Sequence, residues 1–249
     1  MSYRIFGRFV VLKRVQHSYI TRSIREEIEW LNYWWANADK ECTERYLLIG
    51  DSVSRGYRGS LEKISGIPVD YIGTSSLILD ELFLREIESF FNWGGVDMYS
   101  AIQVQIGIHG IMDIKTELNG DFYDVYRNQY KNLIEFLLEK TKRLVLASTT
   151  PVIDRYWNCS NKYLSFILRN THPLCMEHIN ERMDKELSIR NNMARDIAKE
   201  YSLIFNDLYF YMRNEGKKFR HIDEIHYEKK SNVFMARKVA ECFGNNKEN

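Results

Sequence analysis

The sequence is short of the features that mark several large protein classes. Its four cysteines, Cys42, Cys159, Cys175 and Cys242, are scattered and form no C-x-x-C pair. That spacing argues against a zinc site and against a small disulfide framework, and points to free buried thiols. No histidine cluster has metal-ligand spacing, so neither a metal nor a cofactor is expected. No stretch approaches the roughly 18 consecutive apolar residues of a membrane span. The formal net charge is only +1, which gives no argument for nucleic acid or for an acidic partner. There is no linker, repeat or low-complexity block to divide the chain. What is present is ordinary: 249 residues, 45% hydrophobic and 28% charged, a soluble globular mix sufficient for one α/β domain.

Acid is missing from the first 25 residues, which carry Arg4, Arg8, Lys13, Arg14, Arg22 and Arg25 ahead of Glu26. Phe9-Val-Val-Leu12 is too short for the core of a secretory signal and no small-residue cleavage site follows, so a cytoplasmic location is expected. This basic segment reads as an extension packed on the domain or on a partner. Targeting and contact with a membrane surface are the lesser alternatives. Ile24, Ile28, Leu31 and Trp35 recur at i, i+4, i+7 and i+11, which predicts a helix over residues 21–38. Trp30, Tyr33 and Trp34 widen its stripe. Residues 1–43 are thus expected to form a basic extension plus a packed helix, residues 44–243 the main domain, and residues 244–249 a polar tail.

The main domain is organised around Arg45-Tyr-Leu-Leu-Ile-Gly-Asp-Ser-Val-Ser-Arg-Gly56. The uninterrupted run Tyr46–Ile49, closed by Gly50, reads as a buried parallel strand. Further strands are predicted at 69–72, 101–106, 143–148 and 202–205. Helices are predicted at 54–64, 77–91, 122–140, 177–200 and 230–243. Five strands alternating with helices make a three-layer α/β/α domain around a five-stranded parallel sheet. Residues 152–175, rich in aromatics and Asn, show no sustained period and read as a long loop or broken insert at the mouth of the sheet.

Ser52 then falls just past a strand's carboxyl end, where open α/β sheets place their ligands. Gly-Asp-Ser could equally do no more than end a strand and cap the next helix. A serine needs a base, and the base needs a group that orients it. Asp223 and His226 could supply both if their segment makes one turn, and they lie between the last strand and the last helix. An oxyanion needs N–H donors aimed at one point. Gly73 and His109 each end a neighbouring strand and could offer a backbone and a ring N–H, although a turn glycine and a strand-end histidine are the plainer readings.

Gly50-Asp-Ser52, Gly73, Gly107-Ile-His109 and Asp223-x-x-His226, in that order, resemble the blocks of the SGNH (GDSL) hydrolases, over about residues 44–243. The resemblance implies a flavodoxin-like sheet and ester hydrolysis without a metal. It makes Ser52 the nucleophile, His226 the base and Asp223 its orienter, with Ser52, Gly73 and His109 forming the oxyanion hole. The third block departs from the family's usual G-x-N-D. Histidine at 109 is similar to bacterial carbohydrate-esterase-like members, while Gly110 replaces the acid that usually follows. Arg190-Asn-Asn192 and Asn206-Asp207-Leu208 also look like the surroundings of those members, with Asn191 and Asn192 read as structural.

The expected activity is therefore a serine esterase that removes an acyl group, acetyl first, from a carbohydrate. The aromatic insert suits sugar stacking, with Trp157 and His172 as substrate-binding candidates. A lipid or thioester hydrolase on the same triad, an acyltransferase, and a carbohydrate-binding protein without activity are the alternatives.

Overall fold

Short apolar runs bounded by turn residues become the central strands. The computed structural model describes residues 29–94, 96, 98–111, 121–153, 174–175, 179–215 and 219–244. Within them the strands are β1 (Leu31–Trp34), β2 (Tyr46–Gly50), β3 (Val69–Thr74), β4 (Ala101–Gln105), β5 (Leu144–Ala147), β6 (Leu174–Cys175), β7 (Ile204–Asn206) and β8 (Arg220–His221). The helices are α1 (Ser52–Ser65), α2 (Glu81–Trp93), α3 (Asp121–Leu138), α4 (Glu181–Glu200), α5 (Leu208–Asn214) and α6 (Lys229–Cys242).

The main sheet has six strands in the order β1-β3-β2-β4-β5-β7. Five of them, β3-β2-β4-β5-β7, are parallel, in the order that flavodoxin-like sheets show. Successive residues of each strand point to opposite faces. Leu47, Ile49, Ile72, Ile102, Val104 and Leu146 therefore pack under α2, α3 and α4. Tyr46, Leu48, Val69, Tyr71, Val145 and Ala147 pack under α1, α5 and α6. Both faces are covered, which is why these strands read as continuous apolar runs. The three-layer α/β/α plan expected from the sequence is the plan observed.

One expectation fails. Leu31–Trp34 is not helical but an edge strand, pairing antiparallel with β3 from Leu31↔Thr74 to Trp34↔Tyr71. The aromatic residues that looked like a helix stripe also suit a pleated surface, and the open edge of β3 decides between the two. Trp35 stacks on Phe90 of α2 at 4.9 Å, and the Ala36 N–H donates to Asp70 Oδ1 at 2.9 Å. Because β1 is part of the sheet, the domain reaches back across the expected boundary at residue 44. Residues 1–28 and 245–249 lie outside the described residues, as does most of the 152–175 insert.

Polar order underlies the apolar layers. Gln103 and Gln105 of β4 are buried on the α1 face. Gln103 Nε2 donates to Tyr57 Oη (2.9 Å), Tyr57 Oη donates to Gln105 Oε1 (2.7 Å), and Gln105 Nε2 donates to the Ser148 carbonyl (3.2 Å). These bonds tie α1, which opens on Ser52, to the ends of β4 and β5. Buried amides satisfied in this way fix one arrangement of the sheet ends.

Candidate active site

Gly50 brings α1 close against the sheet. A Cβ on it would lie 2.5 Å from Ser54 Oγ and 2.6 Å from the Gln105 carbonyl oxygen, so the strand can turn into the helix here only without a side chain. Asp51 caps α1, its Oδ1 accepting the Val53 N–H at 2.8 Å. The capping role and the site role thus coexist in Gly-Asp-Ser. Ser52 is the first residue of α1. The first N–H groups of a helix have no partner inside it, so the Ser52 N–H is a donor at the positive end of the helix dipole.

Ser52 Oγ lies 2.6 Å from His226 Nε2, and His226 Nδ1 lies 2.7 Å from Asp223 Oδ2. Asp223 sits on a loop whose stem is closed by the Ile222 N–H on the His226 carbonyl (2.8 Å) and by the Glu228 N–H on the Arg220 carbonyl (3.0 Å). Its other oxygen, Oδ1, accepts the N–H groups of Ile225 (2.8 Å) and His226 (2.7 Å). The loop is anchored to the end of β5 by the Ile153 N–H on the Glu224 carbonyl (3.0 Å) and by Tyr227 Oη on the Pro151 carbonyl (3.0 Å).

The electrostatics follow from these bonds. Burial works to raise the Asp223 pKa, but the His226 ring and the two backbone N–H groups outweigh it and hold the carboxylate well below its ordinary range. The same bond from Asp223 raises the His226 pKa above its usual value, against the opposing pull of burial. Asp51 is buried behind Ser52 and its pKa is raised by desolvation, with His109 and His226 acting in the opposite direction. A serine hydroxyl bonded to an imidazole, itself bonded to a carboxylate, can lose its proton as it attacks an electrophilic carbon.

His109 shares a small cavity with Gly50, Asp51, Thr74, Ser76, Leu77 and Gly107. Its loop leaves β4 through two glycines with positive φ, Gly107 at 138° and Gly110 at 70°. The value at Gly107 is one that glycine favours, while the left-handed value at Gly110 is one that Asp and Asn also adopt. A Cβ at Gly110 would approach Leu77 to 3.1 Å.

The oxyanion role expected of Gly73 does not fit its position. Gly73 lies within β3, in register with Gly50 on one side and Asn32 of β1 on the other. The Ser75 N–H donates to the Trp30 carbonyl at 3.0 Å, and hydrogen-bonded pairs recur at every second residue of an antiparallel ladder. The Gly73 N–H is thereby directed at β1 and away from Ser52. The sequence ended this strand at residue 72, whereas β3 runs through Gly73 to Thr74 with β1 alongside it.

Two residues at the site are ones to which the sequence assigned no part in it. Trp30 meets His109 edge-on at a centroid distance of 6.0 Å, with the Arg55 guanidinium 5.6 Å from the Trp30 ring centroid. The helix predicted over 21–38 counted Trp30 only as part of its apolar stripe. Arg190 donates through Nη1 to the carbonyls of Gly107 (2.9 Å) and His109 (2.8 Å). Its neighbour Asn191 ties down the end of β5, accepting the Thr149 N–H (2.8 Å) and donating to the Thr149 carbonyl (3.0 Å), a structural role as expected. Both fall on the buried side of α4 with Leu187 and Ala194, and polar residues at i+3 and i+4 of an apolar stripe are the signal that marks them.

Trp157 and His172 lie outside the described residues. Cys42 and Cys242 are free and half-buried. Among the described residues no group of His, Cys, Asp or Glu could hold a metal ion, and no helix is long and apolar enough to cross a membrane.

No protein-family model matches the sequence, and no curated protein matches it. Solved structures do. The chain is similar to LAE5, an alpha/beta hydrolase enzyme from the metagenome of Lake Arreo, Spain, at 12% identity and a TM-score of 0.58, over 84% of this chain and 99% of that one. It is similar to a catalytic mutant of Axe2, an acetylxylan esterase from Geobacillus stearothermophilus, at 13% identity and a TM-score of 0.54, over 82% and 96%. A third is the acetyl xylan esterase AlAXEase, at 18% identity and a TM-score of 0.54, over 79% and 98%. At these identities the likeness is one of fold.

Proposed function

We propose that the protein is a serine esterase of the SGNH type that removes an acyl group, acetyl first, from a carbohydrate. The observation that carries the reading is the unbroken chain Ser52 Oγ–His226 Nε2–Asp223 Oδ2, with links of 2.6 and 2.7 Å. Ser52 Oγ attacks the ester carbonyl carbon while His226 Nε2 takes its proton. Asp223 holds Nδ1–H and stabilises the imidazolium that forms. The Ser52 N–H and the His109 ring donate to the developing oxyanion. The intermediate collapses, the sugar alkoxide leaves with the proton from His226, and an acyl-Ser52 ester remains. Water, deprotonated by His226, then releases the acid.

The choice of a carbohydrate ester is supported by the acetylxylan esterases among the structural neighbours and by Trp30, whose ring stands beside His109. Aromatic faces bury the apolar faces of sugar rings. The test is a panel of 4-nitrophenyl esters from acetyl to decanoyl together with acetylated xylo-oligosaccharides. Turnover that falls with acyl length and is highest on the acetylated sugars is the expected result. A preference for chains of about eight carbons or more would favour the lipid-hydrolase reading on the same triad.

A further inference from the structure

Arg190 heads the large fully buried side chains among the described residues, at 1% exposure. A guanidinium removed from water is costly unless its donors are used. Here Nε donates to Glu186 Oε1 at 3.0 Å, and the cation lies over the rings of Tyr126 (5.5 Å) and Phe122 (5.9 Å). Nη2 has no hydrogen-bond partner. The remaining donor, Nη1, takes two carbonyls from one loop, those of Gly107 and His109. That loop is the one that leaves β4 with φ 138° at Gly107 and carries His109 to the crevice beside Asp51.

We infer that Arg190 is a positioning residue that clamps the Gly107–His109 backbone and so holds the His109 ring where it serves the oxyanion; this rests on the esterase reading above. A single nitrogen bonded to carbonyls two residues apart fixes the turn between them. Glycine at 107 leaves that turn with no side-chain restraint of its own. The clamp comes from the core, on α4, and Glu186 fixes it in turn, itself accepting from Tyr123 Oη at 2.7 Å. A displacement of about 1 Å in a transition-state donor is enough to cost on the order of 10²-fold in rate.

The test is a kinetic cycle on the full chain with 4-nitrophenyl acetate. Arg190→Met should lower kcat by about 10- to 100-fold with KM within about threefold of native, since only the transition state uses the donor. Arg190→Lys keeps a cation without the guanidinium's fixed fork and should recover part of that loss. The deciding arm is the double variant Arg190→Met/His109→Ala, expected to be no slower than His109→Ala alone, because the clamp acts through that ring. Losses that multiply, or native kcat in Arg190→Met, would overturn the inference. If Arg190→Met does not fold, Arg190→Gln, alone and combined with His109→Ala, carries the same comparison. A native protein that neither turns over the ester nor reacts with a fluorophosphonate would remove the esterase reading and the clamp with it. An active native protein with indifferent Arg190 variants removes the clamp alone.

Discussion

His226 Nε2 lies 2.6 Å from Ser52 Oγ although 174 residues separate them in the chain. The contact exists because β2 and the loop after β8 end at the same edge of the sheet. The raised pKa of His226 has a consequence for activity. The ring must be neutral to accept the serine proton, so kcat/KM should rise with pH through a midpoint above 6.5. Asp223→Asn removes the group that raises it, so the midpoint should move down while kcat falls, by about 10⁴-fold at most. A pH–rate profile of both proteins checks the pair of shifts, and an unmoved midpoint would separate Asp223 from the titration.

His109 should reveal itself through kcat. His109→Ala removes one oxyanion donor and is expected to lower kcat by about 10²–10³-fold with little change in KM. His109→Asn restores an N–H donor on a shorter side chain and should be faster than His109→Ala. Steady-state kinetics of the two variants decide the matter. Equal, near-complete loss in both would make His109 a base, since an amide cannot take the serine proton.

The parts of this account that could be read from the sequence are those fixed by local pattern. Tyr46–Ile49 announced β2 because a strand buried on both faces has no polar position to hide. Ser52, Asp223 and His226 were legible because few residue types can play their parts and their order matched the strand ends. Leu31–Trp34 was misread because Leu31, Tyr33 and Trp34 fit two periods, and only the open edge of β3 chooses between them. The Leu174–Cys175 and Arg220–His221 pairing is two residues long, too short for any period, and α5 was passed over although Asp207 caps it on the Phe210 N–H. Gly73 lost its expected role for the same reason that β1 was missed. Arg190 stood out in the Arg190-Asn-Asn192 run, but its role could not be read there, because its carbonyl partners lie more than 80 residues away.

Stability should depend on pH through His221. Its ring is fully buried at the stem of the triad loop, tilted against Tyr227 with ring centroids 4.0 Å apart, and neither ring nitrogen has a hydrogen-bond partner. Burial lowers its pKa from 6.5 to about 4, with Asp223 opposing and His226 assisting. The folded state therefore prefers the neutral ring. The stabilisation is complete above pH 6.5 and is lost as the pH falls from 6.5 towards 4, where the unfolded chain binds the extra proton. At about 1.4 kcal/mol per pKa unit this is on the order of 3 kcal/mol. Urea titrations between pH 4 and 7 should show the fall in the native protein and a flatter profile in His221→Phe; parallel profiles would exclude His221 as the source.

At the opposite end of the sheet, Asp70 joins β3 to three other segments. It accepts from Arg45 Nε (3.0 Å), the Ala36 N–H (2.9 Å) and Tyr99 Oη (2.8 Å), with no exposure of its own. Asp70→Ala leaves the buried Arg45 cation without its counter-ion and should destabilise the fold by about 3–5 kcal/mol. Chemical denaturation measures this directly. The ester turnover of the protein that remains folded should stay near native, because the network lies far from Ser52; a kcat loss matching that of His109→Ala would contradict that separation.

The central claim is that Ser52 is a nucleophile activated by His226. The most direct measurement is the reaction of the native protein with a fluorophosphonate probe, followed by peptide mass spectrometry and by the labelling rate in Ser52→Ala and His226→Ala. The account predicts a single phosphonylated residue, Ser52, no labelling in Ser52→Ala with the fold intact, and labelling slowed by orders of magnitude in His226→Ala. Labelling of another serine, or equal labelling and ester turnover in Ser52→Ala, would contradict it.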